Sequence, residues 1–275
     1  MIYFYVIFSA AALLVTDRYF VGIFKNPNSF YMVPLIFIGI IVLLILLQIL
    51  MLLPIFGFVN VNKPRKKCSR LLRRYLSSTL KIFYRLARVR IHTSGFEKIP
   101  QNEDFLLVCN HINFMDAAFF LAELPQVDLR YIAKKEVYTD LPFVGKALHK
   151  LGGLPIDREN NREAAKTIIK AINIIKNGEG TIGLFPEGYT SKTGELQDLR
   201  NGSLKIATKA KCKIVVCTIS GSRNVEKRLF KKRTDVYLKF AQIICPEDFG
   251  ENTAVLGDKV HRIMSESLKG EIGND

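Results

Sequence analysis

The chain has 275 residues, a formal net charge of +15 and a hydrophobic share of 49%. That length holds one sizeable folded domain with an accessory segment, and basic charge joined to apolar bulk favours an anionic membrane surface over nucleic acid. The five cysteines, Cys68, Cys109, Cys212, Cys217 and Cys245, show neither paired spacing nor a zinc pattern with histidine; this excludes a disulfide scaffold and fits a reducing, cytosolic face.

Ile2 to Val15 is apolar, Asp17 and Arg18 interrupt, and Tyr19 to Phe24 resumes the apolar pattern. Lys25 to Ser29 is a turn by composition. Phe30 to Val59 then runs without a charged side chain, and Gln48 is its one strongly polar residue. About twenty apolar residues cross a bilayer core, so this run is long enough even when tilted. The Asp17–Arg18 pair is costly at membrane depth unless it sits near an interface. Two arrangements follow for residues 1–62: a helical hairpin with both ends cytosolic, or one span with the first helix lying in one leaflet. A cleaved signal peptide fits less well, because the start lacks a basic region and a small-residue cleavage site.

Lys63 to Arg90 carries eleven basic residues and no acidic one. Leu71, Leu72, Tyr75, Leu76, Leu80, Phe83 and Leu86 recur near helical spacing, so residues 63–88 read as a basic amphipathic helix. Such charge directly after a membrane segment marks the cytoplasmic side. The plainer alternative is a solvated basic face without lipid contact.

From Val89 to the end at residue 275 short apolar strands alternate with helices. Strands are expected at Val89–Thr93, Phe105–Cys109, Arg130–Ala133, Gly152–Asp157, Thr181–Phe185, Lys213–Ile219 and Asp235–Ile244. Helices are expected at Ala117–Leu124, Arg162–Lys176, Gly202–Ala210 and Thr253–Leu268, with Leu141–Leu151 short and helical or looped. The alternation predicts an α/β unit with a mixed, largely parallel sheet flanked by helices.

Between the second strand and its helix stands Asn110-His111-Ile112-Asn113-Phe114-Met115-Asp116. His111 and Asp116 are five positions apart, which on one continuous helix would turn them roughly 140° from each other. They meet only if His111 lies in the turn and Asp116 in the first helical turn, with Asn113 as N-cap. A neutral histidine takes the proton of an attacking alcohol, and a carboxylate on its other ring nitrogen fixes the tautomer. The bland alternative is a capping aspartate near a structural histidine.

Two further blocks stand at strand ends. Gly152-Gly153-Leu154-Pro155-Ile156-Asp157-Arg158 pairs glycines that permit close backbone approach with an arginine whose planar fork suits phosphate. Its structural alternative is an Asp157–Arg158 surface pair. Phe185-Pro186-Glu187-Gly188 ends its strand at the proline and turns at the glycine, so Glu187 projects from the carboxyl edge, to orient an acceptor or to hold Arg158. Lys192, Arg200 and Lys205 add positive charge around the same edge, in keeping with an anionic substrate.

In this order, followed by the apolar strand Ile214-Val215-Val216, the blocks resemble the glycerolipid acyltransferases, and among them the bacterial lysophosphatidate-acylating group. The resemblance spans roughly Val89 to Ile244; Lys135-Glu136, Pro142 and Gly145 also look like the stretch before the second block. It implies transfer of a fatty acyl group from acyl-CoA or acyl carrier protein to the sn-2 hydroxyl of 1-acyl-glycerol 3-phosphate, forming phosphatidic acid. It further implies His111 as base and Asp116 as its partner, with Arg158 as phosphate ligand and Glu187, Gly188 and Asn110 in substrate binding. No metal or cofactor and no nucleic acid is expected. The expected surroundings are an anionic membrane, with the catalytic domain on its cytoplasmic face. The backbone N–H groups near Phe114 and Met115 are candidates to hold the thioester oxyanion.

The sequence departs from that family at Tyr189-Thr190-Ser191, where Thr and then Arg or Ser usually follow Glu-Gly. It departs again at Pro155, an aromatic position there, and at Val216-Cys217-Thr218, which lacks a common proline. These positions border the head-group site and bear on acceptor preference. The rivals are an acyltransferase for another lysophospholipid, glycerol 3-phosphate or an amine-containing lipid, an acyl-enzyme route through Cys109, and a non-enzymatic membrane-anchored basic binding protein.

Overall fold

Leu106 to Cys109 is a run of four buried apolar residues, and such a run needs a sheet covered on both faces. In the computed structural model, which describes residues 2–18, 31–53 and 68–272, it has that setting. Packing divides the chain into two units, residues 1–58 and 59–275.

The first unit contains α1 (Ile2–Thr16) and α2 (Met32–Leu50), packed against each other. α2 has 19 residues and a mean hydropathy of 3.1; at roughly 1.5 Å per residue it is long enough to cross a bilayer core. Leu35, Ile38, Val42 and Leu46 are exposed on it, an apolar surface suited to lipid rather than water. With 15 residues, α1 falls short of that length. The expected turn at Lys25–Ser29, residues 19–24, the end of the long apolar run and Lys63–Lys67 lie outside the described residues.

The second unit opens with α3 (Arg70–Leu86), capped by Ser69 through its bond to the Leu72 N–H at 3.2 Å. Seven strands follow: β1 (Val89–Ser94), β2 (Leu106–Cys109), β3 (Leu129–Lys134), β4 (Leu154–Ile156), β5 (Thr181–Leu184), β6 (Ile214–Ser220) and β7 (Thr234–Ile244). Their spatial order is β1-β7-β6-β2-β5-β3-β4. β6, β2, β5, β3 and β4 are mutually parallel; β7 is antiparallel to β6 and carries β1 alongside in its own direction.

Side chains alternate across β2 as a strand requires. Leu107 and Cys109 join the layer that holds Tyr84, Phe119 and Phe120, while Leu106 and Val108 join the one holding Ile182, Val260 and Met264. α3 and α4 (Asp116–Glu123) belong to the first layer. The second holds α7 (Asn161–Lys176), α8 (Lys205–Ala210) and α10 (Thr253–Ile272), which follows the short α9 (Val225–Arg228). Each fully buried aliphatic side chain contributes about 2 kcal/mol.

Most expected elements stand within a residue or two of their places. The basic helix forms, and part of its apolar stripe packs on the core rather than standing free for lipid. Leu76, Ile82 and Tyr84 are buried, Leu80 and Phe83 pack on the core, and Leu71 and Leu86 stay exposed. The stripe's period is the same for either partner, so periodicity alone leaves the choice open. The stretch before Leu151 is two helices, α5 (Lys135–Asp140) and α6 (Pro142–Lys150), and the segment from Gly202 begins as a 3-10 turn before α8.

Candidate active site

The register of β2 decides which loops meet. Val108 lies opposite Leu184 of β5 on one side and Val216 of β6 on the other. The chain therefore leaves three neighbouring strands at one edge, carrying His111, Glu187 and Ser222.

His111 and Asp116 do meet. His111 Nδ1 is 3.0 Å from Asp116 Oδ2, with the imidazole 17% exposed and the carboxylate fully buried. The same Oδ2 accepts the backbone N–H groups of Ile112 and Asn113, each at 2.8 Å, and Oδ1 accepts the Ser222 hydroxyl at 2.7 Å. The carboxylate oxygens accept from these donors, so in the neutral imidazole the proton sits on Nδ1 and Nε2 is the acceptor. Among the described residues Nε2 has no partner. Asp116 is the first residue of α4, where the helix dipole favours its charge. Asn113 stands before that helix, its Oδ1 accepting from the Met115 N–H at 2.9 Å and its Nδ2 donating to Glu226.

Phe185 forms the floor of the site. Its ring stacks under the imidazole, centroids 4.1 Å apart and planes at 15°, and Tyr131 stacks on Phe185 in turn. This slab gives the phenylalanine before Pro186 a reason beyond filling the strand end.

Glu187 differs from expectation. Its carboxylate points inward, accepting the His111 N–H at 2.6 Å and the Gln197 N–H at 3.1 Å, and the residue is fully buried. It ties the His111 turn to the loop after Gly188, and neither of its bonds is to Arg158. Burial pushes its carboxyl above the ordinary value; the two N–H donors and the neighbouring His111 pull the other way. Asn110 is likewise engaged: its amide donates to Ile219 O at 2.9 Å and accepts from Ile219 N–H at 2.8 Å. That pair of bonds staples β2 to the end of β6 and so delivers Ser222. Of the two oxyanion candidates, the Met115 N–H is taken, while the Phe114 N–H has no acceptor among the described residues.

Arg158 lies two residues beyond β4, half-buried. Asp157 does not pair with it. That carboxylate binds Lys135 at 2.7 Å and caps the N–H groups of Glu159 and Asn160, and Lys135 holds its pKa below the usual range. The Arg158 guanidinium is shifted down by burial and then by the like charge of Arg200, with Glu136 opposing. The paired glycines serve packing: Gly152, at a φ of +78°, lies against the buried Arg130, and Gly153 against Tyr138.

Gly188 turns at a φ of +83° beneath the side chain of Arg200. Lys192 lies in the loop that follows, its carbonyl accepting from Arg223 at 2.7 Å, and Lys205 is exposed at the start of α8. Cys109 is buried with its side chain in the core layer. No group of three or more His, Cys, Asp and Glu side chains is placed to hold a metal among the described residues. A cavity of about 750 Å³ opens at the amino ends of the strands, lined in part by Arg73, Asp104 and Asp128; it contains none of the site residues.

Sequence reasoning missed Ser222 and Gln197. The signal for Ser222 was a Gly221-Ser222 pair closing a buried strand, legible only once β6 is known to lie beside β2.

A family model described as acyltransferase matches residues 90–220, a span that includes all the residues from His111 to Glu187 described above. The 1-acyl-sn-glycerol-3-phosphate acyltransferase of Borreliella burgdorferi is 30% identical over 173 residues, covering 62% of this chain and 67% of its own length. The enzyme of that name from Bacillus subtilis is 29% identical over 159 residues, covering 58% of this chain and 76% of its own length. The fold matches the crystal structure of the 1-acyl-sn-glycerophosphate (LPA) acyltransferase PlsC from Thermotoga maritima, with a TM-score of 0.61 at 24% identity over 85% of this chain and 96% of that one. The chain belongs to the acyltransferase family in which these 1-acyl-sn-glycerol-3-phosphate acyltransferases stand.

Proposed function

We propose that this chain transfers a fatty acyl group from an acyl thioester to the sn-2 hydroxyl of 1-acyl-glycerol 3-phosphate, forming phosphatidic acid for phospholipid synthesis. The observation that carries the reading is the imidazole whose Nδ1 is bound to a buried carboxylate while Nε2, at the strand edge, has no partner among the described residues. Nε2 takes the acceptor's hydroxyl proton as its oxygen attacks the thioester carbonyl. Asp116 stabilises the imidazolium that forms. The tetrahedral oxyanion faces the Phe114 N–H. Collapse breaks the carbon–sulfur bond, and the imidazolium returns its proton to the leaving thiolate, which departs as a free thiol. Arg158 binds the acceptor's phosphate, so the hydroxyl arrives in line. Asn110 and Glu187 act by holding the β6 end and the His111 turn in place. The donor is acyl-CoA or acyl carrier protein.

The setting is a membrane, with the second unit at its cytoplasmic face. Its support is the apolar helix Met32–Leu50 and the acid-free basic run of residues 63–90.

The test is an acceptor panel, with both donor types, run on wild type and His111→Ala. Turnover on lysophosphatidate is expected to fall by about 10³-fold in the variant, with membrane insertion intact. Comparable rates for the two proteins would end the reading, and a preference for glycerol 3-phosphate or another lysophospholipid would replace its acceptor.

A further inference from the structure

Ser222 reaches the proposed base's partner from a distant part of the chain. It is fully buried, and its hydroxyl donates to Asp116 Oδ1 at 2.7 Å. Among the described residues that hydroxyl has no other partner, and Oδ1 has no other donor. The second carboxylate oxygen, Oδ2, carries three donors: His111 Nδ1 at 3.0 Å and the N–H groups of Ile112 and Asn113 at 2.8 Å each. A buried carboxylate oxygen left without a donor is costly, so this one hydroxyl decides how the carboxylate is turned.

The position of Ser222 is itself over-determined. Asn110 holds both backbone groups of Ile219, at 2.9 and 2.8 Å. Gly221 then turns at a φ of +77°, and a Cβ there would collide with the Asp235 carbonyl, so the chain lies tight against β7. Just beyond, the Asn113 amide donates to the Glu226 carboxylate and stands 3.5 Å from the Arg223 carbonyl. The segment after β6 thus grips the His111 turn twice, through Ser222 on Asp116 and through Glu226 on Asn113.

We infer that Ser222 is a positioning residue for the acyl transfer: its hydroxyl fixes the rotation of the Asp116 carboxylate, and so the tautomer that leaves His111 Nε2 as the base. The inference rests on the acyl-transfer reading for its chemistry and adds a residue that acts through Asp116. Without the hydroxyl, Oδ1 is bare in a buried site, and the carboxylate turns to share the two backbone N–H groups between its oxygens. Oδ2 then leaves Nδ1, and the ring proton is free to move to Nε2, the nitrogen that must accept from the substrate hydroxyl.

The test uses the full chain in detergent micelles, as wild type, Ser222→Ala and Ser222→Cys. kcat and KM are measured on lysophosphatidate. The tautomer of His111 is read by heteronuclear NMR of histidine-labelled protein, its signals assigned by their loss in His111→Ala. Ser222→Ala is expected to lower kcat by about 10- to 100-fold, with KM changed by less than about twofold, because the lost bond is to a charged group. Its imidazole should populate both tautomers, where wild type keeps the proton on Nδ1. Ser222→Cys retains the size and a weak S–H donor and should recover part of both losses. A Ser222→Ala protein that keeps its kcat, or that raises KM instead, overturns the assignment. So does one whose kcat falls while the tautomer stays that of wild type, or one that Ser222→Cys does not improve on, because these mark packing support. If wild type transfers no acyl group, the proposed reaction fails by itself; the tautomer then decides alone, a shift in Ser222→Ala upholding the positioning role and an unchanged ring ending it.

Discussion

The end of β2 and the end of β4 hold their functional side chains in opposite ways. β2 lies mid-sheet between β5 and β6, and every residue of it is buried. The carboxylate at its end, Asp116, is fully buried with four donors on it, and the imidazole has a ring beneath it. β4 is an edge strand of three residues, none of them buried, and Arg158 beyond it has neither a hydrogen bond nor an ion pair among the described residues. Proton transfer tolerates little error in position, so the proposed base sits where packing over-determines it. The proposed phosphate ligand, Arg158, keeps its donors free for a ligand that arrives on a mobile lipid.

That contrast predicts different kinds of damage. Asp116→Asn keeps the volume but presents an amide to a ring of donors, and it loses the charge that stabilises the imidazolium. kcat should fall by about 10²–10³-fold, with KM little changed. A variant that keeps full kcat would remove Asp116 from the chemistry and leave it a turn cap. Arg158→Ala should act at the other end, raising KM for lysophosphatidate about tenfold and moving kcat much less. A kcat loss as large as that of Asp116→Asn would erase the distinction between the two strand ends.

The smallest expected effect concerns Glu187 and is read in melting temperature. Its carboxyl binds a proton more tightly in the folded chain than at the ordinary value of 4.5. Its stabilising share is therefore complete below that value and is lost as pH rises through the folded one. Glu187→Gln does not titrate. The advantage of wild type over this variant should be widest in acid and narrow by a few degrees as pH rises. A gap that widens with pH would mean that the backbone donors outweigh burial.

Much of the site was legible before the fold. His111 and Asp116 were paired by a physical demand, a turn followed by a helix start, and the turn formed. Arg158 was singled out for its planar fork at a strand end, and Arg200 for charge alone. The role of Glu187 was read less well. A carboxylate between proline and glycine suggests outward projection, yet its two acceptor oxygens were wanted by N–H groups at His111 and Gln197. The basic helix was read as amphipathic without a partner for its stripe, since an apolar stripe has the same period whether it meets lipid or a core.

Local order was written locally. Alternation, the glycine and proline breaks and the spacing of the His111 block determine strands, turns and a histidine–carboxylate contact only five residues apart. What the tertiary structure alone decided is which ends stand together. The bond from Glu187 to His111 spans 76 residues, and that from Ser222 to Asp116 spans 106. Both follow from β2 lying between β5 and β6, an order set by the packing of the whole sheet rather than by any stretch of the chain.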